Sequence, residues 1–307
     1  GSYAPSMIAP VAAACLTSVL VARMVGSAPY SLEIAVTTSP DAAGYLLYAA
    51  LGVVCAAAGI GLMRLVALAE GAVRRLRLRT PLRPVVGGVI LAGLALSSPQ
   101  VLSSGHGALH ADLVEHIGLQ TLIVVVALKA LASVTAIGTG FRGGLFFASL
   151  FLGSLIGQVY WNLIELSALA IQVPRENAAL VGMGALASAV VGCPLAMSFL
   201  VLEATQSLGV AAATLAASLV ASTIVRERFG YSLSTWRMHL RGESVRSARD
   251  IGWMRALTAG RLMRTDRPTI AASASAAEFR RRFPLGSARF AVLLDEAQRY
   301  AGVVTVA

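Results

Sequence analysis

The sequence predicts an all-α integral membrane bundle with short, broken and re-entrant helices, followed by a truncated α/β domain. Three observations support this. Hydrophobic residues make up 57% of the 307 residues and charged residues only 13%, whereas soluble domains carry about 25% charged residues. The apolar residues fall in separate stretches, several of them too short to cross a bilayer. After Tyr231 the chain becomes polar and basic.

The apolar stretches are separated by glycine and proline. A straight membrane span needs about 20 apolar residues, and several stretches, such as 85–97 and 194–206, are too short. Because unsatisfied backbone groups are costly in lipid, such short helices must pack inside a protein bundle. Broken helices of this kind are typical of transporters and channels. The stretches cover residues 7–25, 45–69, 85–97, 119–136, 145–171, 178–191, 194–206 and 208–225, with Pro84, Gly192 and Pro194 at the starts of short ones.

The positive charge is concentrated in two regions. The net charge is +10, and Lys129 is the single lysine. Arginines cluster in 74–83 and again from 226 to 282. Nucleic-acid binding is one explanation of such clusters, but in a membrane protein they are more typical of cytoplasmic loops. We therefore expect both regions to face the cytoplasm, and no nucleic-acid partner.

Other chemistry has little support in the sequence. The three cysteines lie far apart in apolar runs, without the paired spacing of a metal or redox site. His106 and His110 could share a helical face near His116, but nothing completes a ligand set. Ser103 and Ser104 beside His106 faintly suggest an intramembrane serine hydrolase. This alternative is weak, because near-adjacent residues on a loop rarely form a catalytic pair.

The last part of the chain has soluble character. The segment "ASAAEFRRRF" has helical spacing, with Ser273 or Ser275 as its cap. "RFAVLLD" and "YAGVVTV" are typical of strands joined by a polar turn. We expect a small α/β domain that stops before its core is complete. The opening "GSYAPSMIAP" also indicates a piece of a longer protein.

One apolar segment begins with glycines and a charge. In "IGTGFRGGLFFASLFLGSLIG" (137–157) four glycines and Arg142 precede a helix-like run. Glycines before a helix allow a sharp turn and let a ligand approach the first N–H groups, which form a ready anion site. Close helix packing by small residues explains the same pattern, so both interpretations stay open on composition alone. The glycines are Gly138, Gly140, Gly143 and Gly144.

Three motifs, in order, resemble the CLC family of chloride channels and transporters. "GTGFRGGLFFASLFLGSLIG" is similar to the family segment written GSGxPGGxFxPxLxxGxxxG. "GMGALASAVVGCPLAMSFLVLEATQ" (182–206) resembles the next helix pair, and "FGYSLSTWRMHLRG" (229–242) the last membrane helix and the exit toward paired CBS domains. The resemblance covers the whole chain, but only the second half of a CLC membrane domain and the opening of a CBS domain.

The resemblance implies an anion site made mostly of backbone. The family binds chloride with the amides of a segment that matches Leu145, Phe146 and Phe147, entered from Gly144. A tyrosine hydroxyl donates to the same ion, and Tyr231 matches it.

Two family prolines are replaced. Ala148 occupies the position of one of these prolines. This replacement should matter little, because a proline there only preorganises the first turn of the helix. Arg142 occupies the position of the other proline and adds a positive charge beside the anion path. This charge could raise chloride occupancy, or the side chain could equally face a vestibule and have little effect. Lys129, inside an apolar helix, is a second candidate for an anion-path charge, although such residues usually face the bundle interior.

The resemblance also implies an organisation and a function. We expect a membrane domain at 1–236, a cytoplasmic linker at 237–258 and a partial CBS domain at 259–307. The protein would be a homodimer in the inner membrane that transports chloride or a similar anion, with no cofactor and no enzymatic activity. Nucleotide sensing by the CBS part, with an adenosine nucleotide, is the remaining alternative. The family's GSGIP and GREGP motifs do not occur here, so channel and chloride/proton antiporter stay open.

Overall fold

A computed structural model describes most of the chain, in two compact units, 1–250 and 251–307. The described residues are 5–26, 40–76, 79, 81–102, 118–141, 143–167, 173–230, 232–233, 235–236, 258–262, 269–284 and 286–306.

The first unit is helical throughout its described part. Each of the eight apolar stretches forms one helix, as predicted, and α3 begins two residues before Pro84. A 3₁₀ turn, Pro99–Leu102, follows α3. The helices are α1 (Pro5–Met24), α2 (Ala42–Arg75), α3 (Leu82–Ser97), α4 (Leu119–Gly138), α5 (Phe146–Leu166), α6 (Arg175–Val191), α7 (Pro194–Thr205) and α8 (Leu208–Arg228).

Four of these helices, α2, α4, α5 and α8, are long and apolar enough to cross a membrane. The helices α3 and α7 are apolar but shorter, with 16 and 12 residues. Pro194 is the first residue of α7, where its missing N–H costs no hydrogen bond. Gly192, with φ of 83°, ends α6 in the left-handed region that favours glycine. Gly192 and Pro194 therefore mark the end of one helix and the start of the next, with only two residues between the two helices.

Helix α6 forms the centre of the bundle. It packs against α2, α5, α7 and α8, and every residue from Asn177 to Val190 is buried. A helix surrounded in this way needs no polar face, which fits its nearly continuous run of small and apolar residues.

Glycines set the crossing of α5 and α6. A Cβ atom on Gly153 would collide with the carbonyl oxygen of Gly182, and one on Gly157 with that of Ala178. The spacing Gly153-x-x-x-Gly157 is a known small-residue packing motif of membrane helices. Close packing therefore explains the later glycines of the 137–157 segment.

The second unit is a small α/β domain. Strands β1 (Thr269–Ala271), β2 (Phe290–Leu294) and β3 (Tyr300–Thr305) form a sheet in the order β1-β2-β3. β1 and β2 are parallel and β2 and β3 antiparallel. The short helices are α9 (Ala259–Leu262) and α10 (Ala276–Arg282).

The two strands, the turn and the helix predicted for this unit are confirmed. Ser275 is the cap of α10, and its hydroxyl accepts from the amide of Glu278. The core is small: Ile270, Phe283 and Ala291 are its buried apolar residues among those described. Membership of the CBS fold stays a prediction.

Candidate functional site

The four glycines before α5 have different roles. Gly138 ends α4, where a Cβ atom would lie 2.6 Å from the Cβ of Ala69 on α2. Gly140 has φ of 96°, which a side chain would strain. Gly143 faces open space. A Cβ atom on Gly144 would lie 3.9 Å from the amide nitrogen of Phe146. One glycine therefore serves packing, one the turn, and one leaves room at the first amides of α5.

Leu145 forms the N-cap of α5 and cannot cap it with its side chain. Its carbonyl accepts the first i→i−4 bond of this helix, from the amide of Ser149 at 2.7 Å. The amides of Phe146, Phe147 and Ala148 precede that bond, and no side-chain cap is present. Since the Leu145 side chain is only 2% exposed, it anchors the helix start in the core.

The side chains around this end are apolar. Phe146 is half-buried and Phe147 is 45% exposed. Their rings meet edge to face, with centroids 5.0 Å apart. The hydroxyl of Ser149 donates to the carbonyl of Phe146 at 2.7 Å and is thereby occupied. Among the described residues at the start of α5, polar recognition therefore depends on the backbone.

Lys129 lies in α4 and is 4% exposed. Its ammonium donates to the carbonyl oxygen of Val101 at 2.9 Å and lies 5.3 Å from the ring centroid of Phe151 on α5. The lysine thus joins α4, the 3₁₀ turn and α5. A role in the anion path stays a prediction.

Two candidate residues, Arg142 and Tyr231, lie outside the described residues. The backbone before Tyr231 turns at Gly230, with φ of 83°. After it, the amide of Ser232 donates to Thr235 Oγ1 at 2.9 Å. A Cβ atom on Gly192 would lie 3.6 Å from the Cβ of Ser232, so Ser232 lies beside the junction of α6 and α7.

The histidines and serines of the alternative interpretations, His106, His110, His116, Ser103 and Ser104, also lie outside the described residues. Within the described part of the chain, no group of three or more histidine, cysteine, aspartate or glutamate side chains could hold a metal.

The sequence analysis missed a buried polar contact between α5 and α6. Arg175 Nη2 donates to Gln158 Oε1 at 2.7 Å, and both side chains are buried. Asn177 lies two residues further along α6 and is hydrogen-bonded with Tyr48 on α2. The feature of the sequence that could have indicated this contact is an arginine directly after Pro174, close to the start of an apolar stretch.

Comparisons with known proteins agree with the helical architecture. The family model described as voltage gated chloride channel matches residues 1–226. A ClcB-like protein of Ralstonia nicotianae is 34% identical over 163 residues, 53% of this chain and 38% of that relative. The voltage-gated ClC-type chloride channel ClcB of Escherichia coli (strain SMS-3-5 / SECEC) is 25% identical over 229 residues, 74% of this chain and 54% of that relative.

A solved structure supports the same fold. The crystal structure of a slow cyanobacterial Cl⁻/H⁺ antiporter aligns with a TM-score of 0.64 and 22% identity, over 74% of this chain and 54% of that one. The chain therefore spans about half the length, or less, of the relatives it matches. Because the family model covers most of its residues, this membrane protein belongs to the CLC family of voltage gated chloride channels.

Proposed function

We propose that the chain is part of a protein that transports chloride, or a similar small anion, across a membrane. The observation that carries the proposal is the start of α5, where a helix without a side-chain cap follows a glycine placed against its first amides. A helix N-terminus carries roughly +0.5 elementary charge, and the N–H groups of its first turn can point at a bound anion. The named functions of the relatives support the same activity.

The anion would be held mainly by backbone. We assign the amides of Leu145, Phe146 and Phe147 as its donors, with Gly144 giving access and the Tyr231 hydroxyl as a further donor. Apolar surroundings favour this arrangement, because a hydrogen bond to a charged acceptor is stronger where water is scarce. Arg142 and Lys129 would raise the local positive potential.

The relatives bear two kinds of names, channel and antiporter, and both mechanisms fit the proposal. Neither the serine hydrolase nor a purely nucleotide-sensing role gains support from the family assignment. The homodimer, the inner-membrane location and the cytoplasmic side of residues 74–83 and 226–282 remain parts of the proposal. So does a partial CBS domain at 259–307.

The experiment is chloride efflux from liposomes that contain the complete protein. Efflux followed with a chloride electrode, with a potassium ionophore to carry the counter-charge, tests transport itself. Alkalinisation or acidification driven by a chloride gradient separates proton-coupled exchange from passive conduction. No efflux above that of protein-free liposomes would refute the proposal.

A further inference from the structure

A second group of buried donors lies at the start of α6. Arg175 is the first residue of this helix, and its guanidinium contacts Gln158 on α5 at 2.7 Å. Arg175 is 6% exposed and Gln158 is 0% exposed. Since Gln158 follows Phe146 by 12 positions along α5, the group lies roughly 18 Å from the amides discussed above.

Two positive groups lie together at this place. One is the helix N-terminus and the other is the buried guanidinium of Arg175; the acidic residue of the first turn is Glu176. The N-cap is Pro174, which provides no side-chain cap. The helix end and Arg175 therefore add their positive potentials inside the protein, where charges are screened less than in water.

The amide of Gln158 supplies a donor without an acceptor. Its Oε1 atom accepts from Arg175, and its buried Nε2 atom has no hydrogen-bond partner in the structure. Reversing the amide would place its NH₂ group against the guanidinium donors, so the orientation is fixed. One turn earlier on α5, the hydroxyl of Ser154 is also buried without a partner.

Neither of the acidic groups nearby accepts a hydrogen bond from Gln158 Nε2. Glu176 is the next residue on α6 and is half-buried. Asp41 lies close to Tyr48, but its carboxylate is exposed and accepts from the amide of Gly44 at 2.8 Å. A buried donor without a partner is rare and costly, so an acceptor beside Gln158 would stabilise the site.

We propose that a small monovalent anion such as chloride binds at the start of α6, between Nε2 of Gln158 and the guanidinium of Arg175. The site is separate from the one at the start of α5 and does not depend on it. Its occupant would receive hydrogen bonds from side chains, whereas the α5 site uses backbone amides. Substitution of side chains can therefore remove this site completely.

Bromide is the probe. Crystals of the complete protein grown in bromide should show an anomalous peak within about 3.5 Å of Gln158 Nε2. A peak at the start of α5 tests the proposed function, and a peak at the start of α6 tests the second site, so the two can fail separately. Ordered water, or no anomalous peak, beside Gln158 would overturn this inference.

Gln158→Glu gives an independent test. Its carboxylate would pair with Arg175 and take the place of the anion, so the α6 peak should disappear while any α5 peak stays. Gln158→Met removes the donor with little change of size, and should weaken bromide binding at α6 about tenfold or more. Ser188→Ala, which removes a buried hydroxyl without a partner far along α6, is the matched control for a lost buried polar group. An α6 peak that persists in Gln158→Glu would contradict the proposal, and the bromide data of the unmodified protein decide the question if a variant fails to fold.

Discussion

Gly144→Ala separates an anion site from a simple turn at the start of α5. Neither Gly143 nor Gly144 has positive φ, so alanine fits the backbone at both positions. The two positions differ in their surroundings. A Cβ atom at 143 meets nothing within 4 Å, whereas one at 144 lies 3.9 Å from the amide nitrogen of Phe146. Gly143→Ala is therefore the matched control.

The expected size of the effect follows from these distances. An acceptor bonded to the Phe146 amide lies about 3 Å from its nitrogen, and a methyl group needs about 4 Å from other heavy atoms. With the methyl 3.9 Å from the same nitrogen, both fit only if the directions to them differ by roughly 60–70° or more. The methyl group would therefore block the approach of an anion to the Phe146 amide from the side of Gly144.

Loss of one hydrogen bond to a charged group costs about 1.5–3 kcal/mol. Chloride affinity should therefore fall roughly tenfold to a hundredfold in Gly144→Ala and stay near that of the unmodified protein in Gly143→Ala. Calorimetric titration with chloride measures the affinity, and thermal unfolding without chloride checks that both variants fold equally well. Equal chloride affinities for the two variants would refute the site.

Four further substitutions test the rest of the description. Gly157→Ala should lower the free energy of unfolding by about 1–3 kcal/mol through overpacking between α5 and α6, whereas Gly93→Ala, which faces open space, should not, as thermal unfolding will show. Lys129→Met should cost about 1.5–3 kcal/mol of stability for its lost carbonyl contact, and unchanged chloride efflux would exclude a role of its charge in the anion path. Tyr231→Phe should weaken chloride binding roughly tenfold to a hundredfold in calorimetry; a loss of stability with unchanged affinity would leave Tyr231 as an interfacial anchor. Arg79→Cys should be inaccessible to an impermeant thiol reagent outside intact cells, and labelling from outside would reverse the proposed topology.

The helices could be predicted because their signals are local. Apolar runs, interrupted by Gly192 and Pro194, mark where each helix lies, although α2 extends from Ala42 to Arg75, beyond the apolar stretch 45–69. The same is true of the strands in the second unit, where alternating residues and the polar turn "EAQR" lie next to each other. Such features depend on backbone geometry within a few residues, which one sequence is enough to show.

The polar contacts could not be predicted because they join distant positions. Lys129 meets Val101 across 28 residues, and Gln158 meets Arg175 only because α5 and α6 cross closely. Composition alone also does not show which structural role each glycine has. Gly138 and Gly144 are six positions apart in one motif, yet the first packs against α2 and the second lies by the amide of Phe146.

The glycines of α5 and α6 also affect the anion site. An amide can favour an anion over water only if it is held in place before the anion arrives. Helix α5 is held by backbone contacts at Gly153 and Gly157, about two to three turns beyond its first amides, and by the buried side chain of Leu145 at its start. The helix that presents the amides is thus fixed at its start and near its middle. Overpacking at Gly157 should therefore shift the start of α5 and weaken chloride binding as well as stability, although no atom of Gly157 reaches the site.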